Sequence, residues 1–174
     1  MKNKIAVQSQ MLTVILLCLL FIPSAYSFYL SEQFVDNRYG YSIRYPSSWN
    51  ASKHRSGVVL ANINSGDGKS GLQIRLTNSN RGINGFINNY ISDFTNQMQA
   101  TLISRNQTMF GYRRGYSITF RSRRGSVSYF LKTYILPVEN TSKFYIFQAG
   151  TPFGMKNQVE PVLDGIAASF KIIR

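Results

Sequence analysis

The chain of 174 residues predicts an α+β fold, an antiparallel sheet with helices packed against it. Three observations carry that expectation. Apolar and polar residues alternate over a series of short runs, the period of half-buried strands. Two other stretches switch to steps of three and four, the period of a helix face. The runs are joined by Gly-containing or polar turns, as in consecutive antiparallel strands. With 44% hydrophobic and 14% aromatic residues the chain can bury one core, and 13 Gly against 5 Pro describe a turn-rich globular unit.

The first segment stands apart from that unit. Lys2 and Lys4 precede an apolar run from Met11 to Ile22, and Pro23-Ser24-Ala25-Tyr26-Ser27 follows with small residues at Ala25 and Ser27. This pattern predicts a cleavable signal peptide over residues 1–27, hence an exported protein, extracellular or in the cell envelope. The alternative is an uncleaved N-terminal anchor, although the run is shorter than the ~20 residues of a spanning helix. The single Cys, Cys18, follows Leu16 and Leu17 instead of the small residue that lipid attachment requires, and cleavage would leave a mature chain without thiols.

Residues 28–38 are expected to form a loosely held N-terminal arm, and residues 39–174 the folded domain. Tyr41, Ile43 and Tyr45 alternate with Ser42 and Arg44 in a first strand that Pro46 stops. Val58 to Ile63 and Leu72 to Thr77 form a hairpin around Asn64-Ser65-Gly66-Asp67-Gly68-Lys69. Ile83, Phe86, Ile87, Tyr90, Ile91, Phe94 and Met98 then fall on one helix face. Alternation returns in Leu102–Thr108, Tyr112–Arg121, Val127–Pro137 and Phe144–Ala149. A loop containing Gly150, Pro152 and Gly154 leads to a last amphipathic segment from Lys156 to Phe170, with Val159, Val162, Leu163, Ile166 and Phe170 on one face. Pro161 falls in its opening turns, where a missing N–H is tolerated.

Catalysis is not expected of this inventory. A triad or metal centre needs His, Cys or clustered carboxylates, and the chain carries one His and seven acids. His54, between Lys53 and Arg55, reads as a solvated loop residue. Glu32 with Asp36 and Glu160 with Asp164 have helix-face spacing, but neither pair has further oxygen ligands nearby, and the second reads as a solvated helix face. Gly68-Lys69-Ser70 lacks the earlier Gly of a phosphate loop, and the same stretch lacks the acids of a calcium loop, so it reads as a turn. Asn50, Asn106 and Asn140 open N-glycosylation sequons.

Charge suggests the partner. The 20 basic residues, two of them in the leader, face 7 acidic ones, which leaves the mature chain at +11. Arg113 and Arg114, then Arg121, Arg123 and Arg124 around Gly125, form the densest basic region, with Arg113, Arg121 and Arg123 on one strand face. They would dock an acidic protein or an anionic envelope surface, peripheral membrane association included. Nucleic acid is not expected of an exported chain. The competing reading is a solvated edge kept from aggregating by its charges.

The segments Phe34-Val35-Asp36-Asn37 and Tyr39-Gly40-Tyr41-Ser42-Ile43-Arg44-Tyr45-Pro46-Ser47-Ser48-Trp49 resemble the opening of PsbP-family domains. Pro161-Val162-Leu163-Asp164-Gly165-Ile166-Ala167-Ala168-Ser169-Phe170-Lys171-Ile172 is similar to the family's terminal helix with its Ser-Phe ending, and Arg114-Gly115-Tyr116 with the following hairpin is similar to its second sheet half. The resemblance implies an α/β/α sandwich around an antiparallel sheet, a fold also used by a Ran-binding nuclear transport factor. It implies a non-enzymatic binding or assembly module. The alternative it raises is an extrinsic subunit of photosystem II that helps retain calcium and chloride. Calcium enters only through that resemblance, and no other cofactor is expected.

Overall fold

The computed structural model describes residues 29–54 and 58–173; the expected signal peptide lies outside them. In chain order the elements are β1 (Glu32–Asp36), β2 (Tyr41–Tyr45), β3 (Trp49–Lys53), β4 (Val59–Ser65), β5 (Gly71–Asn78), α1 (Gly82–Gln97), β6 (Thr101–Phe110), β7 (Arg113–Arg124), β8 (Val127–Pro137), β9 (Lys143–Pro152), a 3-10 turn (Phe153–Met155), α2 (Lys156–Ala168) and β10 (Lys171–Ile172). Seven strands form one sheet in the order β3-β4-β5-β9-β8-β7-β6, and β1-β2-β10 form a second. Every pairing is antiparallel.

Alternation along β7, β8 and β9 sends side chains to two different layers. Ile118, Phe120, Ile135 and Phe144 pack with Ile87 of α1. Tyr134, Phe147 and Ala149 pack with Val159, Val162, Leu163 and Ile166 of α2. One helix therefore covers each face, as the sandwich expectation requires. Helices are nevertheless few: Tyr41 and Ile43 of the small sheet belong to the α2-side core, so strands supply part of a layer expected to be helical.

Three strands depart from the sequence reading. The segment expected to be a loose arm contains β1, paired with β2 along five residues. Its signal was hidden because Asp36, fully buried, occupies an inward position that an apolar residue would normally mark. β3 carries only Trp49 and Ala51 on its inner face, too few to register as alternation, and β10 is two residues long. Two smaller differences follow. Met98 lies past the end of α1 and is 53% exposed, and Gly150 and Pro152 belong to β9 rather than to a loop.

The opening and closing motifs meet in space. Tyr41 stacks on Phe170 with ring centroids 5.4 Å apart. Ser169 Oγ accepts the Arg44 N–H at 2.8 Å and lies 2.7 Å from the Ile166 carbonyl, which can take its proton. Gly40 adopts a left-handed φ of 65°, and its carbonyl accepts the Ile173 N–H at 2.7 Å. A Cβ there would stand 2.6 Å from the Ile173 oxygen, so the turn before β2 needs glycine on both counts.

Candidate functional site

Helix α1 does not cover its whole face of the large sheet. Running out from beneath the helix, Thr133 of β8, buried against Tyr90, Gln148 of β9, Gln73 of β5 and Asn62 of β4 stand opposite one another across four adjacent strands. They occupy this face because Ile63, Leu72 and Ala149, their chain neighbours, turn the other way into the α2-side core.

Side-chain hydrogen bonds tie the row into two groups, one around Asn62 and one around Gln148. Asn62 Nδ2 lies 2.7 Å from His54 Nε2, a contact that suits an amide donor and an unprotonated ring nitrogen. Gln73 Nε2 donates to Asn62 Oδ1 at 3.1 Å. Arg75 Nη1 donates to Gln148 Oε1 at 3.1 Å, and Gln148 Nε2 donates to the Tyr90 hydroxyl at 2.7 Å. That hydroxyl lies 2.9 Å from Thr133 Oγ1. Burial raises the Tyr90 pKa, against the opposing pull of its bonds to Thr133 and Gln148. Arg75 Nε is buried and has no hydrogen-bond partner.

Beside this row the sheet is hollow. Gly150 contributes no side chain to the face, while the space over Gly71 opposite it is taken by the Asn64 side chain. A cavity of about 450 Å³ lies between Arg75, Gln148 and Gly150 on the sheet and Asp93, Phe94, Gln97 and Met98 at the end of α1. A second hollow of about 420 Å³ shares Gln97, Met98 and Leu131 with it and continues to Tyr129, Arg123 and Arg124. The two form one groove along the C-terminal half of α1. Sequence reading missed this site because its polar residues come from four separate segments, each looking like the solvent side of an ordinary strand.

The five arginines singled out from the sequence do not form one cluster. Arg113 and Arg121 are eight residues apart, about 26 Å along a strand, so Arg113 and Arg114 sit at one end of β7 and Arg121, Arg123 and Arg124 at the other. Alternation places Arg113, Arg121 and Arg123 toward the α2 side and Arg114 and Arg124 toward the α1 side. Arg113 is held near Glu139 at 3.9 Å. The Arg121 guanidinium lies over the Phe153 ring, 4.6 Å from its centroid, and Arg123 Nε donates to the Gly125 carbonyl at 3.1 Å.

The acids are likewise placed differently from expectation. Glu160 and Asp164 do not form a solvated helix face: Lys132 of β8 reaches both, at 2.8 and 2.7 Å. The Tyr134 hydroxyl donates to Asp164. Burial pulls the Lys132 pKa down, but its hydrogen bonds to Asp164 and Glu160 together outweigh it and leave the ammonium above the usual lysine range. Burial first, then the Asp164 charge, drives the Tyr134 pKa far up. Glu32 and Asp36 lie on a strand, not a helix. Asp36 Oδ1 accepts from Lys53 Nζ at 3.1 Å and from the Arg38 N–H at 3.0 Å.

These residues do not fit a calcium ion. The Lys132 ammonium lies between Glu160 and Asp164, where two carboxylates converge, and among the described residues no three His, Cys, Asp or Glu side chains gather. The Ser65–Ser70 stretch is a turn closed on itself, with Asp67 Oδ1 accepting from Ser65 Oγ at 2.6 Å and from the Lys69 N–H at 3.0 Å. Asn50, Asn106 and Asn140 of the sequons are all exposed.

A family model described as PsbP matches residues 30–172. No curated protein matches the sequence. Among solved structures, the chain is similar to cyanobacterial PsbP from Synechocystis, with TM-score 0.64 and 15% identity over 87% of this chain and 98% of that one. It is similar to the Ran-binding protein Mog1p of Saccharomyces cerevisiae, with TM-score 0.61 and 4% identity over 82% of this chain and 95% of that one. LpqN of Mycobacterium tuberculosis, described as involved in cell envelope biogenesis, aligns with TM-score 0.53 and 8% identity over 77% of this chain and 83% of that one. At these identities the likeness establishes the fold alone.

Proposed function

The chain belongs to the PsbP family, and from that premise we propose that it is a non-enzymatic module, exported to the cell envelope, that docks an acidic protein or anionic envelope component through the Arg121–Arg124 end of β7. The supporting observation is a charge imbalance. Five of the seven acids hold cations: Asp36 with Lys53, Asp67 with Lys69, Glu139 with Arg113, and Glu160 and Asp164 with Lys132. Among the described residues Arg121, Arg123 and Arg124 have no carboxylate partner, and all three are exposed. An uncompensated positive end attracts acidic surfaces over roughly one Debye length, ~8–10 Å in physiological salt. Fold kinship supports a binding role, since the Mog1p relative is described as Ran-binding. An envelope setting is consistent with the description of LpqN.

The test is cosedimentation with envelope fractions across a salt titration, comparing the native chain with a triple exchange, Arg121→Glu, Arg123→Glu and Arg124→Glu. Association is expected to weaken steadily with salt and to be lost in the triple variant, while Arg113→Glu, at the far end of β7, changes little. Unaltered association in the triple variant would sink the reading.

A further inference from the structure

We propose that the groove beside α1 binds a single-chain amphiphile with an oxyanion head, the carboxylate or phosphate held by Arg75 and the apolar tail lying along Phe94, Leu131 and Met98. Arg123 and Arg124 line the outer end of the same groove, but the head and tail contacts are made by Arg75, Phe94, Leu131 and Met98 and do not depend on the docking of an acidic partner.

The head position follows from Arg75. Its Nη1 is fixed by Gln148, which is itself held by Tyr90, so the guanidinium is pre-oriented by a second layer of hydrogen bonds. Its Nε carries a buried N–H with no acceptor, and no carboxylate pairs with it among the described residues. A planar guanidinium with donors to spare matches the two oxygens of a carboxylate or phosphate.

The tail position follows from the walls. Phe94, Leu131 and Met98 line the cavity next to Arg75, and Met98 and Leu131 also line the adjoining hollow that leads to Tyr129. At about 450 Å³ the inner cavity has the size of a small-molecule pocket, which typically spans ~300–1,000 Å³. The wall carrying Met98 is anchored: Ser122 Oγ donates to the Met98 carbonyl at 3.1 Å, and Gln99 turns the chain with a left-handed φ of 48°. Asp93 is exposed and also lines the cavity, so its charge opposes an anion there.

Titration calorimetry on the purified protein tests this, using dodecanoate and dodecyl phosphate below their self-association concentrations. Dodecyl maltoside supplies the tail with a neutral head, and inorganic phosphate supplies the head without a tail. Binding of either anionic amphiphile at one per chain is expected, and which of the two binds identifies the head. Arg75→Gln and Met98→Glu should each weaken it at least tenfold, and Asp93→Asn should tighten it. Met98 is exposed, so Met98→Glu keeps the test decisive should Arg75→Gln fail to fold. The proposal is overturned if neither anion binds, if dodecyl maltoside binds as well as dodecyl phosphate, if inorganic phosphate alone binds as tightly, or if both variants bind like the native chain. Arg75→Gln is expected to leave envelope association intact, so the two readings fail separately.

Discussion

Lys132 shows how one residue can tie a sheet to the helix above it. Its ammonium lies within hydrogen-bond reach of Glu160 and Asp164, and Tyr134, two residues along the same strand, donates to Asp164 as well. Lys132→Met leaves Asp164 without its cation and Glu160 with only Lys156, 3.7 Å away. Breaking a fully buried pair costs ~3–5 kcal/mol, but the Asp164 side chain is 47% exposed, so ~1–3 kcal/mol is expected in urea unfolding. The same residue sets a pH limit. Because the folded-state pKa of Lys132 is raised, its contribution is complete below the unfolded value of about 10.4 and is lost as pH rises through the folded pKa. Burial also raises Tyr41, Tyr90, Tyr134 and Tyr145. Unfolded tyrosines release protons above about pH 10 while Tyr41 and Tyr134, raised furthest, keep theirs, so stability falls with a slope that approaches ~1.4 kcal/mol per pH unit for each of these two, and Tyr90 and Tyr145 add to the fall in the same direction. Urea midpoints measured from about pH 8 to 11 should therefore be flat and then fall steeply, and Tyr134→Phe should reduce the slope.

The elements that could be read from the sequence are those whose own residues state their period. Helix α1 and strands β7 to β9 repeat apolar residues often enough to fix their type, whereas the apolar residues of β6 lie in two adjacent pairs at its ends. β1 and β3 could not be read so, because Asp36 takes an inward position and β3 has two inner apolar residues. What stabilises such short strands is distant in sequence. Arg44 of β2 meets Ser169 across 125 residues of chain, so the Ser of the closing motif ties the end of α2 to the backbone of β2. Ser169→Ala removes the acceptor of the Arg44 N–H at an exposed site. A loss of about 1 kcal/mol is expected by denaturant titration, within the usual range for one hydrogen bond. Hydrogen exchange should localise it, with faster exchange at Arg44 and little change in β7 or β8. Uniform acceleration throughout the sheet would count against a local tie.

For the whole molecule, recognition motifs and core turn out to be one arrangement. The opening motif supplies Tyr41 and the closing motif supplies Phe170, which packs on Tyr41, Tyr145 and Phe147 with centroids 5.4, 4.9 and 4.8 Å away. The family pattern was thus readable in the sequence because it marks the two ends of the chain that must close on each other. The polar row and groove were not, since Asn62, Gln73, Arg75, Tyr90 and Gln148 acquire a common address only once the strands pair. Closure makes the last residues disproportionately important. A chain ending at Ala168 lacks Phe170, Ser169 and β10, and it uncovers Tyr41 and the edge of β2. Removing a buried Phe alone costs ~3–5 kcal/mol, against ~5–15 kcal/mol for the whole stability of a domain. The truncated chain is expected to lose its cooperative thermal transition and near-ultraviolet dichroism, whereas Phe170→Leu, which keeps most of the apolar volume, should fold with a lower midpoint. If the truncated chain melted as sharply as the native one, the ends would be appendages and the core would have to be complete without them.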